Sequence, residues 1–271
     1  MQHTTEPRFN YFRSTSKLLQ YFTIIWSAGL CFPATAQTGI IEVQLADSPD
    51  KVYIDRPGDL YMKSGARVVR FDISGKISGT WQLPHASVQF EPRDGSRMFY
   101  FNAADKTWGF AGFGKTPTSP LPEEYAVEPL LACSSGDLGI WILDGTDHSF
   151  KHVNLRKGQV DMEFYLPENL HNKPLLNIRE YQSFLFAATE NQLYIFSPFG
   201  KLLKTLQTSG SDFDFLGEEL YYRKQNRLVF LDLFDGSERY EEIDPEIRFV
   251  RLTDERRFEI YSNRLVIRPA Q

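Results

Sequence analysis

Two cysteines in 271 residues allow at most one disulfide, and none if the first is lost with a cleaved leader, so packing must hold this chain together. Charge excludes more. Thirty basic against 35 acidic side chains leave a net charge of −5, which offers no cationic footprint for nucleic acid. No block of like charge marks a solvating tail. Catalytic signatures are missing as well: there is no G-x-S-x-G elbow, no H-E-x-x-H, no Walker loop and no paired C-x-x-C. Helical periodicity is scarce, and the nearest candidate, LPEEYAVEPL at 121–130, carries proline at both ends. What remains is 42% apolar residues and 14% aromatics, enough for a large core of half-buried strands.

The first 36 residues differ from the rest. Arg8, Arg13 and Lys17 precede an apolar stretch of 15 residues at 18–32, and Ala34-Thr35-Ala36 follows. A basic lead, an apolar centre and a small-x-small end read as a secretory signal peptide, 1–36, cleaved after Ala36. The mature domain is then 37–271, and the expected location is periplasmic or secreted. A retained anchor is the alternative, although a spanning helix usually needs about 20 apolar residues. Cys31 sits in SAGLC with Leu30 where a lipid-modified cysteine wants a small neighbour. Cys133, in PLLACSS, reads as a small buried hydrophobe.

Strand–turn–strand units recur along the mature part. Phe, three residues and Gly-Lys repeat at Phe71/Gly75/Lys76, Phe110/Gly114/Lys115 and Phe196/Gly200/Lys201. The glycine supplies the positive φ that a tight turn needs. NQLYIF, NRLVFL and NRLVIR begin at Asn191, Asn226 and Asn263, where asparagine is expected to take the left-handed bend. Before each such strand lies another apolar one, marked by Leu60, Phe99, Trp141, Leu185, Leu220 and Phe258 at steps of 35–44 residues. Six units of four short strands predict an all-β, six-bladed β-propeller. The last unit lacks an outer strand, and GIIEVQL at 39–45 is unclaimed. It is expected to complete the sixth blade and so remove an exposed edge.

These echoes resemble the NHL-repeat and related six-bladed propellers across most of 51–268. The resemblance implies architecture alone, because that scaffold carries lyases, lactonases, sensors and passive scaffolds. Ligands are therefore expected at the mouth of the central channel, among loops of varied sequence. The loop LDGTDHS offers Asp144, Asp147 and His148 as metal ligands, with His171 or His85 joining from neighbouring blades. Asp-Gly-Thr-Asp is also ordinary turn chemistry. SSGDLGIW at 134–141 is similar to the Asp-box turn of sialidase-like propellers, but lacks its threonine. Trp81, Trp108 and Trp141 read as packing between blades rather than stacking platforms. EEYAVE and RYEEIDPE read as solvated carboxylates.

Two functions fit. One is an exported, non-enzymatic propeller that binds a protein, an envelope component or a small ligand at its mouth, as a monomer. The alternative is a metal-dependent hydrolase or lactonase with a divalent ion held by Asp144, Asp147, His148 and His171.

Overall fold

The computed structural model describes residues 39–112 and 115–270. The expected leader, its cleavage point, Cys31 and Gly114 lie outside the described residues. Each strand is short because its residues alternate faces or lie wholly buried, and Gly, Pro, Asp and Asn break the runs. Strand β1 (Ile41–Gln44) comes first. Blade 1 holds β2 (Lys51–Ile54), β3 (Leu60–Ser64), β4 (Arg67–Phe71) and β5 (Ile77–Gln82). Blade 2 holds β6 (Gln89–Asp94), β7 (Arg97–Asn102), β8 (Thr107–Ala111) and β9 (Ser119–Pro120). In blade 3 the strands are β10 (Pro129–Ser134), β11 (Ile140–Asp144), β12 (Ser149–Asn154) and β13 (Gln159–Tyr165). Blade 4 comprises β14 (Asn177–Tyr181), β15 (Phe184–Ala188), β16 (Gln192–Phe196) and β17 (Leu202–Gln207). Blade 5 is β18 (Phe213–Leu216), β19 (Glu219–Lys224), β20 (Arg227–Asp232) and β21 (Glu238–Glu242). Blade 6 is β22 (Phe249–Leu252), β23 (Arg256–Ile260) and β24 (Arg264–Pro269), closed by β1.

The expected closure is present. β1 runs antiparallel to β24 with Ile41 opposite Ile267 and Gln44 opposite Arg264. A repeated bond shows that β1 fills the outer place seen in every other blade. The amide just beyond each outer strand donates to a carbonyl in the turn between the second and third strands: Leu83 to Ala66, Leu121 to Lys106, Leu166 to His148, Thr208 to Asn191 and Ile243 to Asn226. The sixth is Leu45 to Asn263, at 2.8 Å. The three asparagines are thus acceptors through their backbone. None takes a positive φ; in the equivalent turns that conformation falls on Lys106, His148 and Gln225. The glycine expectation holds at Gly75 (φ 78°) and Gly200 (φ 79°).

The outer strands β1, β13 and β17 alternate, β21 is exposed along most of its length, and β11 is buried throughout. Six apolar clusters fill the six gaps between neighbouring blades, for example Phe186, Phe213 and Phe215 between blades 4 and 5. Trp81 and Trp141 are buried in such gaps and Trp108 packs against one. EEYAVE is less solvated than its composition suggests: Tyr125 and Ala126 turn into the gap between blades 2 and 3. Blade 2 is the irregular one, with an outer strand of two residues. Among the described residues the one helical element is a 3-10 turn, Glu168–Leu170, and no helix is long and apolar enough to cross a membrane.

Candidate functional site

Loops that lead into the innermost strands and turns between second and third strands share one end of the barrel, here the loop face. The innermost strands place alternate side chains toward the axis. These are polar far more often than core strands require: Tyr53, Glu91, Arg179, Asp214 and Arg251 all sit in strand interiors. Arg251 donates to Asp212 at 2.6 and 2.9 Å and to the carbonyl of Val52 in blade 1. Its Nε is 3.2 Å from Asp214, which Arg179 approaches at 2.6 Å. Burial works against the Arg251 charge, and Asp212 and Asp214 overcome it, so the guanidinium is held more firmly charged than usual.

A second network serves blades 2 to 4. Glu91 accepts from the amide and hydroxyl of Ser134, both at 2.8 Å. Arg93 donates to the carbonyls of Ser134 and Glu180, and Glu180 accepts from the amide of Gly136. Above this floor, on the loop face, lies a recess of about 380 Å³. A second of about 520 Å³ opens on the opposite face, and Arg179 lines both. Burial pushes the Tyr53 hydroxyl and the Cys133 thiol up, so both are neutral groups in the wall. Cys133 is an inert, fully buried thiol.

The loop LDGTDHS lies at the rim over blades 3 and 4. Asp144 is fully buried and accepts from the amides of Val127, Glu128 and Thr146 at 2.9–3.0 Å. Lys151 stands 2.7 Å from both Asp144 and Asp147, and 3.8 Å from Glu163. Burial raises the Asp144 carboxyl, but the Lys151 ammonium and those amides outweigh it and hold it far below the usual carboxylate range. His148 and His171 are brought together apart from this cluster, their rings stacked at 4.3 Å and 16°. His85 stays in its own loop, bonded to Ser87. Among the described residues no group of three or more His, Cys, Asp or Glu side chains is arranged to hold a metal ion. Beside the stacked rings a cleft of about 400 Å³ is lined by Leu143, Leu166, Leu170 and Leu175. Leu130, which lines this cleft, and Leu176, which lines the axial recess, are each about half exposed, as is Val127, whose amide is given to Asp144.

On the opposite face His152 lies between two carboxylates, Nδ1 at 2.6 Å from Asp161 and Nε2 at 3.2 Å from Asp137. Its bond to Asp161 holds that carboxyl below the usual range. The Asp-box-like stretch is therefore a turn: Asp137 caps the Gly139 amide and fastens to His152. Sequence reasoning missed His152 and the axial charges. A charge in the middle of short apolar strands (NIRE, FDFL, FVRL) was the available signal.

The chain is a six-bladed β-propeller, the architecture that the NHL-like echoes imply. No protein-family model matches the sequence, and no curated protein matches it. Solved structures do. Virginiamycin B lyase from Staphylococcus aureus matches at a TM-score of 0.56 and 11% identity, over 86% of this chain and 99% of that one. A streptogramin B lyase matches at 0.55 and 14%, over 86% and 87%. The Pan2 WD40 domain of Neurospora crassa matches at 0.52 and 11%, over 85% and 96%. At these identities the likeness is one of fold.

Proposed function

We propose that this propeller is an exported, non-catalytic binding module of the cell envelope that receives a protein partner on its loop face. The observation that carries this reading is the exposure of Val127, Leu130 and Leu176, 53%, 44% and 50%, on the loop face that holds the leucine cleft, lined by Leu130, and the axial recess, lined by Leu176. Large apolar side chains gathered beside two recesses mark an interaction surface. The channel floor supports it: its charges are consumed in ties between blades, which makes a rigid platform. Export rests on the basic, apolar and small-residue order of 1–36. One of the fold neighbours is a BBS1 fragment in complex with ARL6, at a TM-score of 0.50, an instance of this scaffold engaging a protein. For the hydrolase alternative, Asp144 and Asp147 would have to exchange Lys151 for an ion.

The test is photo-crosslinking in the producing cell. Crosslinkers at Leu130 and Leu176 should give one discrete adduct, and a crosslinker at Phe234 on the opposite face should not. Leu130→Asp with Leu176→Asp should abolish the adduct from a probe at Val127. Equal labelling from both faces would overturn the reading. Amino-terminal sequencing of the same material checks export, with Gln37 the expected first residue.

A further inference from the structure

Four histidines fall among the described residues, and their ring nitrogens are not equally occupied. His152 has both committed, to Asp161 and Asp137. His85 has Nδ1 committed to Ser87. His171 uses Nε2 alone, 2.9 Å from the Leu166 carbonyl. A carbonyl only accepts, so Nε2 carries the proton and Nδ1 of His171 keeps its lone pair. This is the second-sphere arrangement that fixes the tautomer of metal-binding histidines. The ring of His148, half-buried and stacked on it at 4.3 Å, makes no hydrogen bond to any described residue.

We propose that His148 and His171 form a two-histidine site for a borderline transition ion such as Zn²⁺, Ni²⁺ or Cu²⁺, completed by water. The inference goes beyond the docking reading and does not depend on it. Imidazole nitrogens bind such ions at about 2.0–2.1 Å, so one ion can serve both rings once His148 rotates out of the parallel stack. At the same turn Lys151 is shared by Asp144, Asp147 and Glu163, and Lys173 lines the same cleft as the two rings. Selectivity follows from the ligand type. Calcium and magnesium want oxygen ligands, and these carboxylates are engaged by Lys151 and backbone amides. An ion here would tie the turn between β11 and β12 to the linker before β14. Both flank the leucine cleft, so metal would stiffen that rim.

The test uses the exported protein, which on the reading above begins at Gln37 and so lacks His3, without a histidine tag, titrated calorimetrically with Ni²⁺, Zn²⁺, Mg²⁺ and Ca²⁺. One equivalent of Ni²⁺ or Zn²⁺ should bind, with no heat from Mg²⁺ or Ca²⁺. His148→Ala and His171→Ala should each weaken binding at least ~10-fold, while His85→Ala leaves it unchanged. In wild-type protein, substoichiometric Cu²⁺ should broaden the ring NMR signals of His148 and His171 before those of His85 and His152, a readout that needs no variant to fold. Undiminished binding in the double variant, equal broadening of all four rings, or Ca²⁺ binding as tightly as Zn²⁺ would each overturn the assignment.

Discussion

The axial network and the blade 3 rim are both clusters of charge around a cation, Arg251 buried on the axis and Lys151 partly buried at the rim, yet they join different things. At the rim, Lys151 and Asp144 are seven residues apart in one hairpin. On the axis, Arg251 reaches Val52 across 199 residues and Asp212 across 39, and Arg93 reaches Glu180 across 87. The first cluster sets a local turn and positions a surface. The second holds blades in a ring, so its loss is felt by the whole molecule. A cation's contribution to the fold therefore follows what it connects more than how many partners it has.

The harshest way to break the long-range half of that contrast is covalent. Deleting residues 39–45 removes the outer strand of blade 6 and uncovers Gly75, which packs against Ile41 and Val43. Size exclusion should show association or loss of soluble protein; a monomer with an unchanged urea midpoint would falsify the closure. Next comes Arg251→Met, which leaves Asp212 and Asp214 without their shared cation. Removing one partner of a buried pair costs about 3–5 kcal/mol, read as a lower urea midpoint with the slope retained.

Asp144→Asn should cost less, about 1–3 kcal/mol, because part of its amide bonding survives and Asp147 keeps Lys151. This variant also carries a pH signature. A carboxyl depressed in the folded state adds stability above its unfolded value, ~3.9, and that stability is lost as pH falls toward the folded value. The wild-type curve should therefore drop below about pH 4 more steeply than that of Asp144→Asn, the two running parallel above it. Identical acid limbs would show that Lys151 does not hold Asp144. The smallest effect is expected at Arg227, whose pair with Glu242 lies on the surface. Arg227→Ala should stay within about 0.5 kcal/mol in urea, and a larger loss would mean that exposed pairs matter here as much as axial ones.

The same contrast explains what could be read from residues alone. Blade number, strand markers and the β1 closure follow from local alternation and turn chemistry, which adjacent residues write out. LDGTDHS was legible as a tight polar loop for the same reason. That its carboxylates would be taken by Lys151 depended on a hairpin register, with Asp144 opposite Ser149. Arg251 meeting Asp212 and Val52, or Glu91 meeting Ser134, depends on ring closure, and no short window of sequence holds both partners. The asparagine echoes mark the right turns for a different reason than the left-handed bend expected of them. What repeats there is a backbone carbonyl, which side-chain identity does not report.

The pairing of β1 with β24 has a mechanical side. The described chain begins and ends beside each other in blade 6, whereas Leu130 belongs to blade 3 and Leu176 leads into blade 4. If the protein is held by its amino end while a partner pulls on the loop face, β1 is drawn along its own axis past β24. The ladder is then loaded in shear, all its bonds sharing the force at once, and the latch resists tension where a peeled edge would give way bond by bond.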